Sequence, residues 1–153
     1  MGSMFGLTLD WTQASVRRAG WAPLVVFGTH MVASRVFGVY GAAPDLDIPL
    51  HFVGGIAIAY FLWHALRARQ AASLLGQLTD AGHDLFALTA VFAATVVWEF
   101  AEWTTDRMGL TEAQGGLGDT MLDMVLGVVG GAAFLAANRG LLTRRPRGTT
   151  ADD

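Results

Sequence analysis

Four apolar stretches, 21–40, 48–66, 85–103 and 120–138, dominate the chain, each 19 or 20 residues long. At a rise of about 1.5 Å per residue, each reaches roughly the 30 Å of a bilayer's hydrocarbon core. Lipid offers no water to satisfy backbone N–H and C=O groups, so such a stretch must bond to itself as a helix. The alternation of a barrel strand is absent. The expected fold is an all-α, integral-membrane four-helix bundle over 21–138. An N-terminal cytoplasmic or interfacial segment (1–20) precedes it, and a polar, arginine- and threonine-rich cytoplasmic tail (139–153) that is expected to be disordered follows it. Between the second and third stretches, 69–84 mixes leucines with polar residues and reads as a short surface helix.

Every one of the ten basic residues is an arginine, and their placement sets an orientation. Arg17 and Arg18 precede the first stretch, Arg67 and Arg69 follow the second, and Arg139, Arg144, Arg145 and Arg147 follow the fourth. Basic residues near span ends stay in the cytoplasm, so both termini are expected inside and the connections 41–47 and 104–118 outside. Trp21, Trp63, Trp98 and Trp103 fall near expected span ends, where amphipathic rings anchor at the headgroups. Trp98 and Trp103 also flank an acidic pair and could line a site.

The chain has no cysteine, which removes disulfides, thiolate metal sites and cysteine nucleophiles. A net charge of -3 offers no basic surface, so no nucleic-acid partner is expected; membrane lipid is.

Acidic residues are distributed unevenly along the spans. Asp45, Asp47, His51, Glu99, Glu102, Asp106, Asp119 and Asp123 all fall in or beside the outer half. The positive-inside rule places arginines and asks nothing of carboxylates, so insertion alone does not explain this confinement. Glu99, Glu102 and Asp106 recur at i, i+3, i+7 and share one helix face; Asp119 and Asp123, like Asp47 and His51, are four apart. A charged side chain deep in a span costs about 2.5–3.5 kcal/mol by insertion measurements and is by default a sign of function.

Simpler roles compete. Asp119 and Asp47 are well placed to cap helix N-termini, and Asp45 and Asp106 could be solvated end charges. His30 and His64 read as packing or interfacial residues, and Gly54, Gly55, Gly127, Gly130 and Gly131 as sites of close helix approach. Arg35 is the nearby intramembrane cation and the expected partner of one carboxylate. Several carboxylates at one level cannot all stay ionised in a poorly hydrated site unless cations balance them, so either protons are held or a divalent metal is bound. Oxygen ligands with one imidazole suit Zn, Mn, Fe, Mg or Ca. The candidate ligands are His51, Glu99, Glu102, Asp119 and Asp123, with Asp47, Arg35 and Asp106 in support and Glu99 or Glu102 as a catalytic base.

Asp47-x-Pro49-x-His51-Phe52-x-x-Gly55, Trp98-Glu99-x-x-Glu102, Gln114-Gly115 and Asp119-Thr120-x-x-Asp123-Met124 ahead of Gly130 resemble the YjdF-like bacterial inner-membrane proteins, a family without an assigned reaction. The chain is more distantly similar to VanZ-like membrane proteins, although Gly127 stands where that pattern has Asn. The resemblance implies a small multi-pass bundle in the bacterial inner (plasma) membrane and points to His51, Glu99, Glu102, Asp119 and Asp123. Three functions fit these readings: a metal-assisted hydrolase of a lipid-linked, envelope or small-molecule substrate, a cation or proton-coupled transporter acting as a homo-oligomer, and a non-catalytic accessory subunit.

Overall fold

A computed structural model describes residues 4–35, 46–111 and 113–143, the side chains at 33–35 and 140–143 excepted. Arg35's side chain, Asp45 and the end of the expected first span therefore lie outside the described residues. Six helices are described: α1 (Met4–Ala19), α2 (Trp21–Arg35), α3 (Asp47–Leu66), α4 (Ala71–Leu75), α5 (Asp80–Arg107) and α6 (Leu117–Thr143). Among the described residues three regions are long and apolar enough to cross a membrane, Asp47–Leu66, Asp80–Arg107 and Leu117–Arg139; Trp21–Val32 is apolar but shorter. Phe92, Val97, Phe100, Val125 and Val129 are exposed on these helices. Contiguous apolar surface of this kind is what hydrocarbon, rather than water, accommodates.

Local chemistry explains most of the boundaries. Pro23 and Pro49 sit in the first turns of α2 and α3, where a missing N–H costs no helical bond. The surface helix expected in 69–84 is the five-residue α4, ended by Gly76 at φ 79°. α5 begins five residues earlier than the apolar pattern suggests, because the Thr79 side chain accepts from the Gly82 amide at 3.1 Å and caps the helix.

Packing centres on α3. Its ring Tyr60 meets Trp21 edge-on, the centroids 5.8 Å apart, so α2 starts about 9 Å short of the end of α3 at Leu66, counting six residues of helical rise. Trp21 thus stands level with Tyr60 rather than with the end of α3. The chain before it, α1, turns at Gly20 and packs on the end of α3, where Trp11 Nε1 donates to the Ala65 carbonyl at 2.7 Å.

α3 and α6 run in the same direction, with α5 antiparallel to both. His51 lies near Asp123 toward one end, while Leu66, Ala87 and Leu135 form a buried apolar cluster toward the other. At that second end Arg67 pairs with Asp80 at 3.3 Å and Arg139 with Asp84. Between the two ends α3 and α6 touch backbone to backbone. A Cβ at Gly55 would fall inside the Gly127 carbonyl, and one at Gly130 inside the carbonyl of Phe52.

Gly55→Val should therefore force the two helices apart and lower stability by about 3 kcal/mol, the upper part of the usual range for overpacking. At Gly28 an added Cβ meets nothing within 4 Å, so Gly28→Ala should stay within about 0.5 kcal/mol of the parent. Thermal unfolding in detergent compares them, and equal midpoints for the two variants would contradict the packing described.

Candidate metal centre

The cluster assembles because three helices each present acid or imidazole at the same level. On α3, Asp47 and His51 are one turn apart and face the same way. The His51 Nε2 atom lies 3.3 Å from Asp47 Oδ1 and 3.9 Å from Asp123 Oδ1 on α6, and its Nδ1 lies 3.8 Å from Glu99 Oε1 on α5. Two three-residue groups share this imidazole, Asp47–His51–Asp123 and His51–Glu99–Glu102, the donor atoms of each lying within 4.8 Å of one another.

Burial makes the arrangement costly to leave uncompensated. Asp123 is 2% exposed, Glu99 6% and Glu102 7%. Asp47 Oδ1 and Glu99 Oε1 are buried without a hydrogen-bond partner. Buried polar atoms in folded proteins are nearly all paired, and these two oxygens face the two ring nitrogens of His51, at 3.3 and 3.8 Å. Most of these separations exceed hydrogen-bond length. The two separations from Nε2, 3.3 and 3.9 Å, fit an ion shared on that side of the ring, because two donors each at about 2.0–2.2 Å from one metal lie no more than about 4.4 Å apart.

Glu102 is held from the other side. Its Oε1 accepts from Trp98 Nε1 at 2.9 Å and lies 3.7 Å from His30 Nε2, while the His30 and Trp98 rings meet edge-on. His30 thus belongs to the cluster, contrary to its expected role in packing alone. The Trp21–Tyr60 contact is the cause. Nine residues on from that contact in each helix stand His30 and His51, at one level. Sequence gives the spacing within a helix but not the register between helices, so no signal in the chain marked His30.

Asp119 and Asp106 serve the α5–α6 connection. Asp119 Oδ2 accepts from the Gly115 amide at 2.9 Å, and Asp119 belongs to neither three-residue group among the described residues. Asp106 accepts from the Thr111 hydroxyl, from the Ala113 amide at 3.0 Å and from the Gln114 amide at 2.9 Å. The loop so folded brings Gln114 Nε2 to 3.4 Å from both the backbone oxygen and Oε2 of Glu99. Gln114 is a contact that its place in the sequence motif hinted at without assigning. Asp47 is the first residue of α3 rather than its N-cap, which is Leu46, and it faces His51. Trp103 is half exposed with Arg107 over its ring, away from the cluster.

Apolar spanning helices around a buried carboxylate–imidazole cluster define a helical membrane protein with a polar centre inside its bundle. Residues 13–144 match a family described as Predicted membrane protein (DUF2238), and the chain belongs to it. It is 33% identical over 102 residues to an uncharacterised protein of Thermotoga maritima, a match covering 66% of this chain and 51% of that one. The chain thus spans about half the length of that relative. No solved structure matches.

If Asp106 builds the loop, Asp106→Ala removes three hydrogen bonds to one carboxylate. Bonds to a charged group contribute about 1.5–3 kcal/mol, so amide exchange at Ala113 and Gln114 should accelerate about 10- to 100-fold while α3 amides keep their protection. Unchanged exchange in the loop would refute the assignment.

Proposed function

We propose that this protein binds one divalent cation at the carboxylate–imidazole cluster, on the extracytoplasmic side of a bacterial inner membrane, and uses it to hydrolyse a lipid or envelope substrate. The observation that carries the reading is the Asp47–His51–Asp123 group, whose donor atoms lie within 4.8 Å of one another and whose carboxylate oxygens stand 3.3 and 3.9 Å from one ring nitrogen of His51. His51, Asp47 and Asp123 hold the ion, and oxygen-rich ligation with one imidazole suits Zn, Mn, Fe, Mg or Ca. A divalent ion there would polarise a phosphoryl or acyl oxygen toward attack. Glu99 is the base: Gln114 approaches its Oε2, which leaves Oε1, 3.8 Å from His51 Nδ1, to take a proton from water. Glu102, fixed by Trp98, positions His30 and adds negative charge.

Transport is the weaker reading. Gly55, Gly127 and Gly130 bring α3 and α6 into backbone contact below the cluster, and Leu66, Ala87 and Leu135 fill the opposite end, which supports a site served from one side. The family membership and the motifs around His51, Glu99 and Asp123 are in keeping with a YjdF-like protein.

Metal content of the full chain, purified in detergent without chelator, tests the proposal by mass spectrometry. About one equivalent of a divalent metal is expected in the parent, falling at least tenfold in Glu99→Gln and Asp123→Asn, since even outer partners of metal ligands are worth about 10- to 100-fold in affinity. A folded parent that takes up no metal from supplemented buffer rejects it.

The orientation, with four spans and both termini inside, is tested separately. The cysteine-free chain carries single cysteines without background. Ala113→Cys should react with an impermeant maleimide in intact cells, and Ser73→Cys only after lysis; the opposite pattern would invert the topology.

A further inference from the structure

A cavity of about 300 Å³ opens among α2, α3 and α5 beside the cluster. Its polar end is His51 and His30, the two imidazoles that face the carboxylates. From there it runs between Gly54 and Ile58 on α3, Phe27 and Leu24 on α2, and Ala94 on α5, a wall without charge. Thr95 also lines it, but its hydroxyl donates to the Phe92 carbonyl of its own helix. The seven steps of helical rise from His51 to Ile58 make the slot about 10 Å long, parallel to the helices. Its volume is at the lower end of those that hold small ligands.

The cavity reaches the outside of the bundle through α2. Leu24 and Phe27 line it and are also 65% and 47% exposed. α2 packs broadly on α3 and meets α5 through Phe27 and His30 against Trp98. Val25 on α2 and Val97 on α5, each next in sequence to a residue that lines the cavity, are exposed and apolar, as side chains facing hydrocarbon are. An apolar slot opening on lipid, with charge at one end only, has the polarity of a single lipid in the leaflet on the acid side. Its head lies at the carboxylates and its chain runs toward the middle of the bilayer.

We infer that the cavity takes up one acyl chain of a glycerophospholipid, which enters sideways between α2 and α5 and presents its phosphate end to the carboxylate–imidazole centre. The phosphate placement rests on the cation site proposed above, because the carboxylates of Asp47, Glu99, Glu102 and Asp123 repel an anion unless an ion lies between. The chain slot rests on the cavity alone.

The test uses the full chain in nanodiscs of phosphatidylglycerol with a diazirine midway along one acyl chain, irradiated and mapped by peptide mass spectrometry. Adducts should concentrate on residues 24–27, Ile58 and Ala94 over the equally lipid-facing Val125 and Val129. Gly54→Leu fills the slot: a Cβ there meets only Val26 Cγ1, at 3.8 Å, so the backbone need not move. It should cut the slot adducts at least fivefold and leave those on α6 unchanged, and Ala94→Phe, from the opposite wall, should repeat the loss. Adducts spread in proportion to exposure and unaltered in both variants would overturn the inference. Bound metal measured on the same samples separates the two readings: slot adducts in a metal-free parent keep the chain assignment and overturn the phosphate placement.

Discussion

The backbone contact between α3 and α6 is the constraint on which the remaining geometry depends. Gly55 and Gly127 leave no side chain between the helices, so carbonyl and Cα surfaces set their separation. One turn toward the N-terminus of each helix come His51 and Asp123, and because the helices run in the same direction, both reach the same level. Thr95 and Val91 of α5 lie against Gly127 and Gly131, which fixes the third helix and brings Glu99 to the opposite edge of the imidazole. The cluster thus follows from small residues that carry no chemistry.

The two ends of the bundle handle charge in opposite ways. At the arginine end, Arg67 and Arg139 meet Asp80 and Asp84 in pairs, with Asp80 and Arg139 well exposed. Such pairs contribute little to stability and cost little to form. At the other end the carboxylates are buried, and the described partners are two imidazoles, an indole N–H and an amide. Burying charge without balance is unfavourable by several kcal/mol per ion. A membrane protein that keeps such a cluster pays for it in stability, and the spanning helices recover that cost through packing elsewhere.

Much of this was legible in the chain, and the missing part has a common cause. Length and apolarity mark the helices that carry Asp47, Glu99 and Asp123, and four-residue spacing marks their faces. Both are local properties. The register of α2 is not: it depends on Trp21 meeting Tyr60, a contact between residues far apart in sequence, and so sequence alone gives His30 a packing or interfacial role. Asp106 and Asp119 show a related ambiguity. A carboxylate at a span end can face inward or fold the adjoining loop, and these two bond to loop amides and a loop hydroxyl. The start of α5 was missed for a simpler reason, since hydropathy ignores the capping bond at Thr79.

The shared direction of α3 and α6 also fixes what kinds of sequence change the fold can absorb. Each helix carries its glycine contact and its acidic or imidazole group four residues apart on a single stripe. One residue inserted between Asp123 and Gly127 would turn the carboxylate about 100° around the axis and shift it about 1.5 Å along it, while the glycine seam stayed in place. The bundle would survive with its acid facing another helix. The interval between seam and site therefore behaves as a ruler, which tolerates substitution far better than insertion.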